Sequence, residues 1–147
     1  DEITDTVIES VLLHEKGEVL AAKELGPEWE KMLAGLPHSK TELMIRAVRD
    51  HLADSLTTLP GLVDKGKDTS LHFYFANLPN MHKHLFPALM QAYESWVKHG
   101  RRKVIEELLP ASNAHWHRLA MQLLDLYRSN PDDYANRLQV LVEDNLF

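Results

Sequence analysis

The chain has 147 residues, no cysteine and a formal net charge of −6 with histidine counted neutral, which bounds it to a single domain. Apolar residues make up 44% and charged residues 26%, a composition that builds a hydrophobic core and excludes a disordered chain. Zero cysteines exclude a disulfide scaffold, a thiolate nucleophile and any Cys-ligated zinc or iron–sulfur centre, and no apolar run is long enough to span a membrane.

The periodicity is helical almost throughout. Ile3, Val7 and Val11 recur every four residues, with Ile8 and Leu12 beside them. They predict a first helix near 3–24, weakened at Gly17 and closed by Gly26. Pro27 opens a short second helix carrying Trp29, Met32 and Leu33. Ser39-Lys40-Thr41-Glu42 has the form of a capping box. The third helix, about 40–58, carries the stripe Met44, Ala47, Val48, His51, Leu52 and Ser55.

Residues 60–70 hold two glycines and a proline without a sustained period and read as a flexible loop. For residues 71–78 a short helix is favoured over a strand, because no second strand exists to pair with it. A helix from Pro79-Asn80 to Lys98 is expected to kink at Pro87 and to stop at His99-Gly100. Helices at 102–109, 112–129 and 132–145 complete the set, with Ser112 and Asn130 as caps. The fold expected is all-α, a compact bundle or irregular stack of seven to eight helices arranged as helix pairs. No sequence repeat is present.

Charge is uneven. Residues 1–70 carry 8 basic and 14 acidic side chains, and residues 71–147 carry 8 of each together with six of the nine histidines. Metal sites on helices place ligands on one face, as in His-x-x-x-His or Glu-x-x-His, and neither spacing occurs. His82 and His84, like His115 and His117, are two apart and point about 200° apart on a helix. No metal site and no cofactor are expected. His51 falls in an apolar stripe and reads as a core histidine bonded to a backbone carbonyl. Asp50 and Asp54 share a helix face one turn apart. This pair could do acid–base work or hold a divalent ion, against the plainer reading of a solvated face with an Arg46–Asp50 ion pair.

The run Lys98-His99-Gly100-Arg101-Arg102-Lys103 forms a basic corner. With Lys83 upstream, it is a candidate contact for a nucleic acid or an acidic protein partner. Arg46-Ala47-Val48-Arg49-Asp50-His51 resembles the arginine–four–histidine spacing of HEPN-type ribonucleases. That resemblance implies RNA cleavage by Arg46 and His51. The two side chains diverge by about 140° on a straight helix, so the motif would need a bend or a dimer.

No catalytic constellation stands out. The function expected is therefore a non-catalytic interaction or regulatory domain binding a partner protein. A nucleic-acid-associated module using Lys83, Lys98, His99, Arg101, Arg102 and Lys103 comes second, and the ribonuclease third. No signal-peptide pattern follows Asp1, so a cytoplasmic or nuclear location is expected. A chain that starts at Asp1 is expected to be either a processed protein or a domain cut from a longer one.

Overall fold

Ser39 starts the central helix of the molecule: its hydroxyl accepts the Glu42 N–H at 3.4 Å, which is half of the expected capping box. The other half is replaced, because the Glu42 carboxylate takes Arg46 and His38 instead. In the computed structural model, which describes residues 1–64 and 67–147, the elements are α1 (Glu2–Leu25), α2 (Pro27–Ala34), α3 (Lys40–Ala53), a π-helical turn (Asp54–Thr58), α4 (Leu59–Asp64), α5 (Asp68–Ala76), α6 (Asn80–Leu85), α7 (Pro87–His99), α8 (Lys103–Ser129) and α9 (Ala135–Glu143). Since α3, the π turn and α4 are continuous, the described residues form eight helical rods with no strand between them.

The central rod runs further than the sequence predicts. The flexible loop expected at 60–70 is instead helical as far as Asp64 and again from Asp68, and Lys65 and Gly66 lie outside the described residues. The physical reason is the π turn. Leu59 N–H reaches back five residues to the Asp54 carbonyl, and this wider turn relieves the clash that Pro60 would make with a carbonyl four residues earlier. Gly61 then lets Leu13 of α1 approach to a distance that a side chain would block.

Gly17 has the same role one turn further along α1. A Cβ there would overlap Thr57 Oγ1 and the Ala53 carbonyl, so the residue expected to weaken α1 is the point where α1 lies directly on the π turn. Thr57 Oγ1 donates to the Leu13 carbonyl at 2.6 Å and fastens the two rods.

Three further boundaries differ from expectation. The helices expected at 102–109 and 112–129 are one, α8, with Pro110 inside it. Ser112 is no cap: it is buried, and its hydroxyl meets that of Ser55 at 2.7 Å. Asn130 ends α8, its amide donating to the Leu126 carbonyl, and α9 starts only at Ala135. The kink at Pro87 is a full break at Phe86, with Pro87 as the first residue of α7. Residues 68–76 are helical, as favoured, and Gly100 ends α7 in the left-handed region at φ 75°.

The whole predicted stripe of α3 is buried, Met44, Ala47, Val48, His51, Leu52 and Ser55 alike. It meets Trp29, Phe86 and Trp116, each fully enclosed. A side chain of that size contributes roughly 2–3 kcal/mol when buried. Among the described residues no helix is long and apolar enough to cross a membrane.

Candidate functional site

A cleft of about 420 Å³ opens between α1 and the central rod and is closed at one side by α5 and α6. Five of its lining residues come from α1: Ser10, Val11, His14, Glu15 and Glu18. His14 and Glu18 are one turn apart and so share a face. The central rod adds Asp50, Asp54 and Thr58. On a straight α-helix Thr58 would lie about 80° round from Asp50. The wider π turn takes back part of that rotation, which brings Thr58 to the face already occupied by the two aspartates. From α5 come Phe73 and Tyr74, and from α6 comes His82.

The polar groups are bonded to one another in a chain. Tyr74 donates its hydroxyl to Asp54 Oδ2 at 2.9 Å, and Asp54 Oδ1 takes His14 Nδ1 at 3.0 Å. His14 Nε2 then meets Glu18 Oε1 at 3.1 Å. Beside them His82 Nε2 meets Asp50 Oδ2 at 2.9 Å. Asp54 is 4% exposed, so its charge is stabilised by Tyr74 and His14 rather than by water. The hydrogen bond to Asp54 pushes the His14 imidazole up to about 9, against the opposing effect of its partial burial, with Glu18 and Asp50 adding to the rise. Burial pushes the Tyr74 phenol well above its ordinary value. The cleft also holds polar atoms with no hydrogen-bond partner: Ser10 Oγ, Thr58 Oγ1 and His82 Nδ1. Of these, Thr58 is 1% exposed.

Behind the cleft lies His51. Its Nε2 meets the backbone carbonyl of His82 at 2.9 Å, and its ring stacks on Trp116 at 4.8 Å between centroids. This is the core histidine expected from the stripe. Burial pushes it down to about 4.

The structure sorts the other residues singled out by sequence. Arg46 does not pair with Asp50. It bonds Glu42 one turn back at 2.9 Å, while Asp50 is taken by His82. Arg46 stays half-exposed and His51 is enclosed, so within this chain the two do not face one space. Nor is Asp54 on a solvated face. Of the close histidine pairs, His82 enters the cleft and His84 is exposed. His115 binds the Asn145 carbonyl while His117 turns to Glu24, the divergence that a two-residue spacing dictates.

At the basic corner Lys98, His99, Arg101 and Lys103 are exposed. Arg102 is engaged, its guanidinium donating to the Val63 carbonyl at 2.6 Å and to Asp68 at 3.0 Å. Lys83 is separated from this corner by the thirteen residues of α7, about 20 Å of helix.

Sequence reasoning missed His14, Glu18, Tyr74 and His82 as a group. One signal was available: His14 and Glu18 have the one-turn spacing of a two-ligand helix face, matched by Asp50 and Asp54. The closure of these pairs across 40 residues is tertiary and has no local signature.

Residues 1–145 match the model of a family described as "Family of unknown function (DUF6866) C-terminal domain", and the chain belongs to that family. No curated protein and no solved structure matches it.

Proposed function

We propose that this family member is a ligand-binding domain whose cleft between α1 and the π turn takes a small, positively charged ligand. The observation that carries the reading is the convergence of Glu15, Glu18, Asp50 and Asp54 on one cleft. Four carboxylates outnumber the two imidazoles of the lining, His14 and His82, so the excess is negative. Walls made by helices and by Phe73 and Tyr74 flank the carboxylates and focus that field. The aromatic faces suit a cation as well. Two lining residues, Ser10 and Thr58, carry buried hydroxyls without a partner, which a ligand could draw toward the cleft. A π turn inside an α-helix is itself a frequent companion of functional sites. The reading assigns recognition rather than turnover, and it carries the expectation of a cytoplasmic or nuclear location.

The direct test is thermal stabilisation of the full chain by cationic probes: 1,4-diaminobutane, tetramethylammonium, and the chlorides of divalent metals. At least one is expected to stabilise the chain saturably, and Glu18→Gln is expected to weaken that effect at least about tenfold. No stabilisation by any cation, or stabilisation that Glu18→Gln leaves intact, would overturn the reading.

A second reading, a partner-binding or regulatory domain, is favoured by the outer side of α1. Ile8, Leu12 and Val19 share one face and are each about half exposed or more. Such an apolar row beside a charged cleft is what a helical partner would cover. Replacing Leu12 and Val19 by serine would abolish capture of such a partner while leaving cation binding unchanged, which separates the two readings.

A further inference from the structure

The geometry points to a divalent transition-metal ion as the cation, held by His14 Nε2 and by carboxylate oxygens of Glu18 and Asp50. The inference rests on the reading of the cleft as a cation site and names its occupant. Among the described residues these three offer one ligand atom each, all within 4.8 Å of one another.

Spacing is the first argument. Two ligands bound at about 2.1 Å to one ion sit about 3.0–3.4 Å apart in octahedral or tetrahedral geometry. His14 Nε2 and Glu18 Oε1 are 3.1 Å apart. The ion would take the place of the hydrogen bond now joining them, displacing the Nε2 proton of His14 to solvent as it binds. Glu18 is about half-exposed, so its side chain can turn to adjust its carboxylate to an ion.

Orientation is the second. Metal-binding histidines characteristically give their other ring nitrogen to a carboxylate, which fixes the ring and strengthens the ligand. His14 Nδ1 is on Asp54, and Asp54 is in turn held by Tyr74. Asp50 has one oxygen held by His82, which leaves the other for an ion. So His14 and Asp50 are each already aimed by a neighbour that binds no metal itself.

The third argument is independent of the cluster. Thr58 belongs to the lining of the same cleft and is 1% exposed, and its Oγ1 is buried with no hydrogen-bond partner. A buried hydroxyl left unsatisfied is destabilising. A turn of the Thr58 side chain toward the cleft would let a water bound to the ion satisfy that hydroxyl. One imidazole with two carboxylates suits Mn(II), Fe(II) or Zn(II), whereas Mg(II) and Ca(II) prefer oxygen alone.

The test is calorimetric titration of Mn(II), Zn(II) and Mg(II) into the full chain after chelator treatment, beside 1,4-diaminobutane. One transition-metal ion per chain is expected, with Mg(II) much weaker. Glu18→Gln and Asp50→Asn should each weaken binding at least about tenfold, and Asp54→Asn, which only orients His14, by about 10–100-fold. His117→Ala, which removes the surface pair with Glu24, should change nothing. Circular dichroism confirms folding, and Glu18→Gln carries the test if a buried variant unfolds. Binding of the diamine without stoichiometric metal overturns the metal assignment and leaves the cation cleft standing. Failure of every cation overturns both. Metal binding that survives Glu18→Gln, or that His117→Ala removes, places the ion elsewhere and overturns the assignment.

Discussion

His51 and His14 are pulled in opposite directions although both feel Asp54. His14 is held charged by its bond to that carboxylate. His51 is enclosed among Trp116, Phe86 and the His82 ring, where a charge has no solvent, and it is pushed down to about 4. The groups facing it are the His82 carbonyl, which favours its protonation, the His82 ring, which opposes it, and Asp54 and Asp50, which favour it; together they do not offset burial. The sign follows from linkage. Between pH 6.5 and about 4 the unfolded chain binds a proton at His51 that the folded chain refuses, so stability falls as pH falls through that window. The loss is roughly 3 kcal/mol for a shift of this size. Urea denaturation across pH 7 to 4 should show it, and His51→Gln should flatten that part of the curve. A wild type and variant with parallel pH profiles would contradict the placement of His51.

His51 is also the residue whose environment was most legible in sequence. A polar ring inside an apolar stripe, one turn from Ala47 and from Ser55, has nowhere to go but the core. Arg46 was misassigned for a local reason: it has acidic neighbours one turn away on both sides, Glu42 and Asp50, and only the tertiary partner His82 decides between them.

Among the elements, the π turn is what makes the cleft. It carries the central rod past Pro60, keeps Thr58 on the aspartate face and presents a flat surface on which α1 lies at Gly17. Gly17→Ala therefore acts unlike an ordinary glycine-to-alanine change in a helix, which stabilises by about 1 kcal/mol. The added methyl would meet the Ala53 backbone, which cannot rotate away. A destabilisation of about 1–3 kcal/mol is expected in chemical denaturation, together with weaker cation binding because α1 carries His14 and Glu18. A neutral or stabilising outcome would show that α1 does not sit on the turn.

Most helix positions could be read from the apolar spacing, and the caps at Ser39 and Gly100 from their residue types. Two of the boundary differences have one cause. Pro60 and Pro110 read as breaks in the sequence, yet the first is carried by a π turn and the second lies within a long helix packed on both sides of it. Proline removes one hydrogen bond and crowds one carbonyl, and tertiary packing outweighs that cost here.

Across the whole molecule the acidic excess of residues 1–70 acquires a location. Glu15, Glu18, Asp50 and Asp54 bring it to one cleft, while the second half of the chain contributes His82 and the aromatic wall. The charge asymmetry was visible in the sequence, but its convergence was not, because the pieces come from residues 14–18, 50–54 and 74–82. Diffraction from crystals grown with Mn(II), recorded at an energy where manganese scatters anomalously, is the most direct measurement. The expected result is one anomalous peak in the cleft, within about 2.4 Å of His14 Nε2 and of carboxylate oxygens from Glu18 and Asp50. An empty cleft, with manganese only at surface pairs such as His117 and Glu24, would contradict it.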